Sequence, residues 1–192
     1  EASLYTIGRR GVAGNFFVMK AVGAAAEAGA DLDEVVRIGE KVNAATRTMG
    51  VALSSCIPPA KGTPLFEIAE DEMEIGVGIH GEPGRRRAKI GTADEIVDEL
   101  LHAIVPDLPF TSGDEVALMV NGLGGTPISE LYILYGTAHS RLDGQGITVG
   151  RSYVGEYCTA LDMAGASITL VKLDDEIKSL LAAPAEIAAR IF

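Results

Sequence analysis

The sequence predicts an α/β fold, a layered domain with a mixed β-sheet covered by helices. Segments whose apolar side chains recur at helical spacing, such as residues 96–104, alternate along the chain with short segments typical of strands. Residues 116–120 form an uninterrupted apolar run, which is typical of a strand buried on both faces. Strands separated by helical segments favour a sheet with helices packed against it.

Length and charge limit the classes of protein that fit. A chain of 192 residues that is 47% hydrophobic suits one domain with a sizeable core, so we expect residues 1–192 to form a single α/β domain. No apolar run approaches the roughly 18 residues of a membrane span. The net charge of −11, from 16 basic and 27 acidic residues, argues against nucleic acids and anionic membranes as main partners.

The few thiol and imidazole side chains indicate neither disulfides nor a metal centre. Cys56 and Cys158 stand far apart without CxxC spacing, which predicts reduced thiols in a cytoplasmic protein. The three histidines are isolated from one another in the sequence, so a histidine-rich metal site is not expected.

The first half of the chain is predicted to form two helices and then a strand. The predicted elements are a helix over 16–27 that Asn15 caps and Gly29 ends, a helix from Asp31 or Asp33 through Thr48 that Gly50 ends, and a buried strand over 51–57. Arg9 and Arg10 fit either an anion site or, as the favoured interpretation, a connector that pairs with acidic side chains. The acidic run at 70–74 is typical of solvated surface.

The second half is predicted to alternate helices and strands more regularly. The predicted elements are a helix beginning at Thr92 or Asp94, strands over 114–121, 147–154 and 166–172, a helix over 129–142, and a closing helix capped by Asp174. The glycine-rich turn at 122–127 fits either an anion cradle at a helix N-terminus or close packing of helix on strand. Its spacing matches no P-loop or dinucleotide motif. His139 is predicted to be a surface residue.

The stretch from residue 73 to residue 84 is the strongest candidate for a functional site. Apolar residues alternate with Gly76, Gly78 and His80, which predicts a strand over 75–80 with one apolar face. Two positions without side chains, followed by an imidazole, describe a surface that another group approaches closely.

His80 has several possible roles. A neutral imidazole there can act as a general base, a metal ligand or a nucleophile toward a carbonyl group. It can equally be a histidine satisfied by the backbone of the turn. A metal ligand is the weakest of these, because no second histidine or cysteine stands at ligand spacing. Glu82 lies near enough in sequence to orient the ring, or it is simply exposed.

Four segments together resemble a known family. Residues 3–15, 73–85, 119–127 and 167–174 resemble, in the same order, the substrate-binding subunit of the dihydroxyacetone kinase family, or the equivalent domain of its single-chain ATP-dependent members. The most specific part is Gly-Ile-His-Gly-Glu-Pro-Gly at 78–84, and the resemblance spans nearly the whole chain.

The resemblance implies a chemistry for His80. A ring nitrogen adds to the ketone of dihydroxyacetone and forms a hemiaminal, with Gly78 and Gly81 beside the substrate. A partner then supplies the phosphoryl group, either a separate nucleotide-binding subunit holding ADP or a fused ATP-binding domain. The resemblance also implies a homodimer. We expect no nucleotide, metal or other cofactor on this chain itself, because it lacks both a P-loop and a carboxylate cluster of metal-ligand type. Whether ATP or a phosphotransferase relay is the donor stays open.

One departure from the family bears on activity. The other groups that hold the substrate lie in a segment preceding this region, and the chain begins after that segment. We therefore expect a C-terminal portion of the substrate-binding subunit that does not turn over substrate alone. Two alternatives remain: a kinase subunit for another short ketose such as erythrulose, and a non-catalytic sensing or regulatory partner.

Overall fold

The part of the chain that the structure describes contains five helices and six strands. The computed structural model describes residues 10–80, 82 and 84–185, in which the elements are α1 (Gly14–Glu27), α2 (Leu32–Ala44), β1 (Thr46–Ala52), β2 (Glu72–Ile75), β3 (Arg86–Lys89), α3 (Ala93–Ile104), β4 (Glu115–Gly122), α4 (Ile128–Asp143), β5 (Thr148–Gly155), β6 (Gly165–Lys172) and α5 (Asp175–Ala182). The strands form one sheet in the order β3-β2-β1-β6-β4-β5. The β4–β5 pair is parallel and the other neighbouring pairs are antiparallel, so the predicted mixed sheet is confirmed.

Each face of the sheet carries its own hydrophobic core. On one face, alternate residues of β4 such as Leu118 and Val120 pack with α3 and α4. On the other face, Ala117 and Met119 pack with α1, α2 and α5. The prediction that the apolar run of β4 is buried on both faces is therefore confirmed.

The central strand β6 is also buried on both faces, although its sequence alternates apolar and polar residues. Its polar members, Ser167 and Thr169, are buried and hydrogen-bonded rather than solvated. The amide nitrogen of Asn121 lies 3.3 Å from the Ser167 hydroxyl, and the hydroxyls of Thr48 and Thr169 lie 2.8 Å apart. These polar side chains satisfy one another inside the sheet, which removes the usual penalty for burying them.

The predicted end of the second helix is wrong. The helix α2 ends at Ala44, and Thr46 through Thr48 already belong to β1. The β-branched threonines favour a strand, and β1 pairs with β6 over seven residues, which outweighs the weak helical preference of this segment. Gly50 lies inside β1 rather than ending a helix, and the strand stops at Ala52, short of the predicted residue 57.

Two further predictions differ from the structure, and one strand was not predicted. The strand predicted over 75–80 ends at Ile75, because Gly76 has a φ of +83°, which strand backbone does not adopt. The edge strand β3 was not predicted, since its sequence Arg-Arg-Ala-Lys has no apolar alternation. Asn15 does not cap α1: the cap position is Ala13, which makes no side-chain capping bond.

The predicted starts of α2, α3 and α5 are confirmed by their caps. Thr92 forms a capping box with Glu95 at the start of α3. The carboxylates of Asp31 and Asp174 accept the backbone N–H of the third residue beyond them, at the starts of α2 and α5.

A cluster of charged side chains connects α2 to α5 at the surface. Glu176 forms ion pairs with Arg37 and Lys41, and Lys41 also pairs with Asp174 at 2.5 Å. Hydrogen bonds from Arg37, and then from Lys41, lower the pKa of Glu176 from an ordinary value of 4.5 to about 2. The carboxylate of Glu176 therefore remains ionised in the folded protein at a pH where it is protonated in the unfolded chain.

We expect Glu176→Gln to change the response of folding to acid. Because the folded-state pKa is depressed, the contribution of Glu176 to stability is present above about pH 4.5 and is lost as the pH falls toward 2. The variant should therefore lose a small amount of stability at pH 7 and show a shallower decline between these pH values. Urea unfolding followed by circular dichroism at several pH values measures this slope. An unchanged slope in the variant would contradict it.

Candidate functional site

The loop between β2 and β3 carries His80 and is fixed at its base by backbone bonds. The N–H of Gly76 donates to the carbonyl of Gly50 at 2.6 Å, and the N–H of Arg85 donates to the carbonyl of Ile75 at 2.7 Å. The guanidinium of Arg10 donates to the carbonyl of Gly76, also at 2.6 Å. The loop is therefore attached both to the neighbouring strand and to the segment before α1.

Arg10 thus connects the segment before α1 to the loop, which fits the connector interpretation. Arg9 lies outside the described residues. The neighbouring cavity between Arg10, Thr48 and Arg85 is small, about 40 Å³.

The buried carboxylate of Glu74 holds the far end of the loop. One oxygen accepts the N–H of Gly84 at 2.8 Å and the other accepts Nε of Arg87 at 3.0 Å. The Glu74 side chain is only 8% exposed, so the expectation of a solvated acidic run is wrong at this residue. Sequence reasoning missed this role, because Glu74 stands among other acidic residues and its partners follow ten or more positions later.

Apolar residues of the loop face inward and leave His80 outside. Val77 is buried and Ile79 is partly buried against a small core made of Ala52, Cys56, Leu123, Ala160 and Met163. Burial raises the pKa of the Cys56 thiol, which keeps it protonated and unreactive. Both Cys56 and Cys158 are free thiols, as predicted.

His80 lies at the exposed tip of the loop beside Glu82. Its side chain is 81% exposed, whereas that of Glu82 is 27% exposed. One oxygen of the Glu82 carboxylate accepts the backbone N–H of His80 at 2.9 Å, and the other lies 3.3 Å from the ring Nδ1. Partial burial raises the pKa of Glu82, but hydrogen bonds from its own backbone N–H and from His80 outweigh this effect and lower the pKa. An ionised carboxylate therefore faces the imidazole.

Gly78, one of the two glycines predicted beside the substrate, lies close to the side chains of Glu82 and Arg10. A Cβ atom at Gly78 would stand 2.7 Å from the Glu82 carboxylate carbon and 3.1 Å from Cδ of Arg10. The side-chain space at Gly78 is thus filled by the protein itself. Gly81, the other predicted substrate contact, lies outside the described residues. Contact of the substrate with Gly78 and Gly81 stays a prediction.

The glycine-rich turn after β4 shows close packing. Gly124 has a φ of +114°, and a Cβ at Gly125 would lie 2.9 Å from the backbone nitrogen of Ala164. The Thr126 hydroxyl both donates to and accepts from the backbone of Gly165, at 2.8 Å each. These contacts support the packing interpretation of this turn. His139 is exposed on α4, as predicted.

The described part of the chain offers neither a metal-binding cluster nor a membrane-spanning helix. Across 10–80, 82 and 84–185, no group of three or more histidine, cysteine or acidic side chains stands close enough to hold a metal ion. No helix in that same part of the chain is both long enough and apolar enough to cross a bilayer.

We expect Gly84→Ala to displace the end of the loop. A Cβ there would lie 2.8 Å from the carbonyl carbon of Ile75, which is backbone and cannot rotate away. The cost should be about 1–3 kcal/mol of unfolding free energy, the range for overpacking a filled site. Urea denaturation measures it.

Gly136→Ala is the matched control for that variant. Nothing lies within 4 Å of a Cβ at this position of α4, so the added methyl group should be neutral or stabilising by up to about 1 kcal/mol. Equal stabilities of the two variants would show that the contact between Gly84 and Ile75 does not constrain the loop.

A family model matches almost the whole chain. The model of the Dak1 domain covers residues 1–189. A dihydroxyacetone-binding subunit of a PTS-dependent dihydroxyacetone kinase from Listeria innocua is 48% identical over 176 residues, which are 92% of this chain and 54% of that protein. The chain thus spans about half the length of this curated relative.

Two further comparisons widen the range of similar proteins. An L-erythrulose 1-kinase from Mycolicibacterium smegmatis is 47% identical over 185 residues, which are 94% of this chain and 32% of that protein. The solved structure of a dihydroxyacetone kinase operon co-activator, DhaQ, superimposes with a TM-score of 0.85 at 33% identity, over 94% of this chain and 57% of its own.

Proposed function

Since the chain belongs to the Dak1 domain family, we propose that it binds dihydroxyacetone covalently on His80 as part of a dihydroxyacetone kinase. One observation carries the proposal: an imidazole that is 81% exposed stands at the tip of a loop held at both ends. A nucleophile needs this combination of open access and fixed position. The substrate named for the Listeria relative supports the choice of ketose.

The covalent step is an addition to a ketone. The lone pair of a ring nitrogen of His80 forms a bond to the carbonyl carbon, and the π electrons of the carbonyl move to its oxygen. The oxygen takes up a proton from water, and the ring loses its N–H proton to water, so the hemiaminal is neutral. No atom of the ketose is lost in this step.

Covalent attachment suits so small a ligand. Dihydroxyacetone offers little surface, and the loss of its translational and rotational freedom works against ordinary binding. A bond to the carbonyl carbon fixes the molecule and leaves its terminal hydroxyl free to accept a phosphoryl group. It also selects ketones and aldehydes over glycerol, which has no carbonyl.

The complete reaction needs more than the residues of this loop. We propose that a nucleotide-binding subunit, or a fused ATP-binding domain, brings the phosphoryl group to the bound ketose, and that the 192-residue chain alone does not complete the transfer. A homodimer in the cytoplasm, with Gly78 and Gly81 beside the ketose, belongs to the same proposal.

Intact-mass spectrometry tests the covalent step. We expect the natural gene product that contains this chain to gain the full mass of one dihydroxyacetone under mild conditions, because a hemiaminal forms without loss of water. His80→Ala should abolish the gain. His139→Ala, which removes an exposed imidazole from α4, should retain it. A gain that survives in His80→Ala would overturn the assignment.

Erythrulose is the second candidate substrate. The M. smegmatis relative is named for it, and the addition chemistry does not depend on the length of the ketose beyond the carbonyl. Competition between dihydroxyacetone and L-erythrulose ranks the two ketoses by the ratio of the two adducts in the mass spectrum. We expect the dihydroxyacetone adduct to dominate. An adduct that no nucleotide-binding subunit can phosphorylate would favour a sensing role, as the similarity to the co-activator DhaQ suggests.

A further inference from the structure

We propose that Glu82 is a positioning residue that holds His80 with its proton on Nδ1 and leaves Nε2 as the attacking nitrogen. The consequence for the addition step rests on the function proposed above, whereas the protonation pattern of the ring does not. His80 and Glu82 are separated by one residue, and both oxygens of one carboxylate are directed at His80.

The carboxylate of Glu82 cannot donate a hydrogen bond while it is ionised. It accepts the His80 backbone N–H through Oε2 at 2.9 Å, which fixes its orientation, and this places Oε1 3.3 Å from Nδ1. A neutral imidazole has a single N–H, and a carboxylate oxygen favours that proton on the nitrogen it faces. The lone pair therefore lies on Nε2, the ring nitrogen directed away from Glu82.

The position of the carboxylate is built into the loop. The carbonyl of Glu82 accepts the N–H of Gly78 at 3.2 Å, and its carboxylate fills the space where a side chain at residue 78 would lie. A glycine at 78 is thus needed for Glu82 to reach His80. This contact explains why residue 78 is a glycine, whether or not the ketose also lies against it.

The same arrangement favours the addition itself. As Nε2 bonds to the carbonyl carbon, positive charge develops on the ring until the Nδ1 proton leaves. A carboxylate that is 27% exposed lies beside that charge and stabilises it more than water alone would, since partial burial weakens solvent screening. A surface pair without the backbone bond would contribute much less.

Glu82→Gln is the sharpest test, because the amide keeps the shape of the side chain. Its oxygen must remain on the His80 backbone N–H, so its NH₂ group faces Nδ1 and requires an acceptor there. The ring proton should then move to Nε2. Nitrogen-15 NMR of labelled histidine in the ligand-free gene product should report Nδ1–H for the wild type and Nε2–H for the variant. The His80 signals are identified by their absence from His80→Ala.

The yield of the adduct should fall when the ring tautomer changes. We expect the yield of the dihydroxyacetone adduct to fall on the order of 10–100-fold in Glu82→Gln, by analogy with the loss seen when the carboxylate that orients a metal-bound histidine is removed. Glu82→Asp, which restores an ionised acceptor, should recover part of it. Glu70→Gln makes the same change in charge at an exposed site and should alter neither readout.

Gly78→Ala provides an independent route to the same effect. The added methyl group would push the Glu82 carboxylate away from His80 without changing either residue. We expect mixed ring tautomers and a reduced adduct yield in a protein whose thermal unfolding resembles that of the wild type. If the variant fails to fold, Glu82→Gln still decides the question.

The two readouts separate this inference from the proposed function. An Nε2–H tautomer in the wild type, or a tautomer unchanged by Glu82→Gln, overturns the role of Glu82 even if an adduct forms. An Nδ1–H tautomer that moves with Glu82→Gln supports that role, and the absence of any adduct in the same wild-type sample would then overturn only the proposed covalent function.

Discussion

The antiparallel pairing of β1 with β6 determines where the His80 loop can be built. The two strands are in register from Thr46 with Val171 to Ala52 with Gly165, at the centre of the sheet. The hairpin of β2 and β3 contacts this centre through only two paired residues of β1, Val51 and Ala52. The loop base is therefore attached where β1 ends, and a side chain at Gly50 would stand 3.2 Å from the Val77 carbonyl.

Two carboxylates then give the loop its shape without regular secondary structure. Glu74 is buried, so its charge would be costly without partners, and the Gly84 N–H and Arg87 supply them. Glu82 is more exposed and bonds to His80 through both its oxygens. The first carboxylate fixes where the loop ends, whereas the second fixes how the imidazole is presented. Loss of the first should disturb folding, and loss of the second should disturb chemistry.

The elements that local sequence specifies were predictable, and those that depend on distant contacts were not. The apolar run of β4 and the start of α3 at Thr92 carry their own local signals, and both predictions are confirmed. Thr46 through Thr48 were assigned to a helix, because only their pairing with β6 makes them a strand. The position of His80 as the candidate nucleophile came from the motif, but its partner Glu82 was left open. The spacing of two residues permits contact and does not require it.

The glycines around His80 show why a pattern of small residues predicts close approach without identifying what approaches. Gly76 adopts a φ of +83° to turn the chain, Gly84 avoids the backbone of Ile75, and Gly78 makes room for Glu82. Each is explained by atoms of the protein itself. A ligand therefore does not need a surface of glycines in order to reach His80, because the imidazole ring is itself exposed to solvent. For the proposed covalent function, the constraint on the ketose would come from the direction of the Nε2 lone pair, and the proposed role of the carboxylate beside Nδ1 is to set that direction.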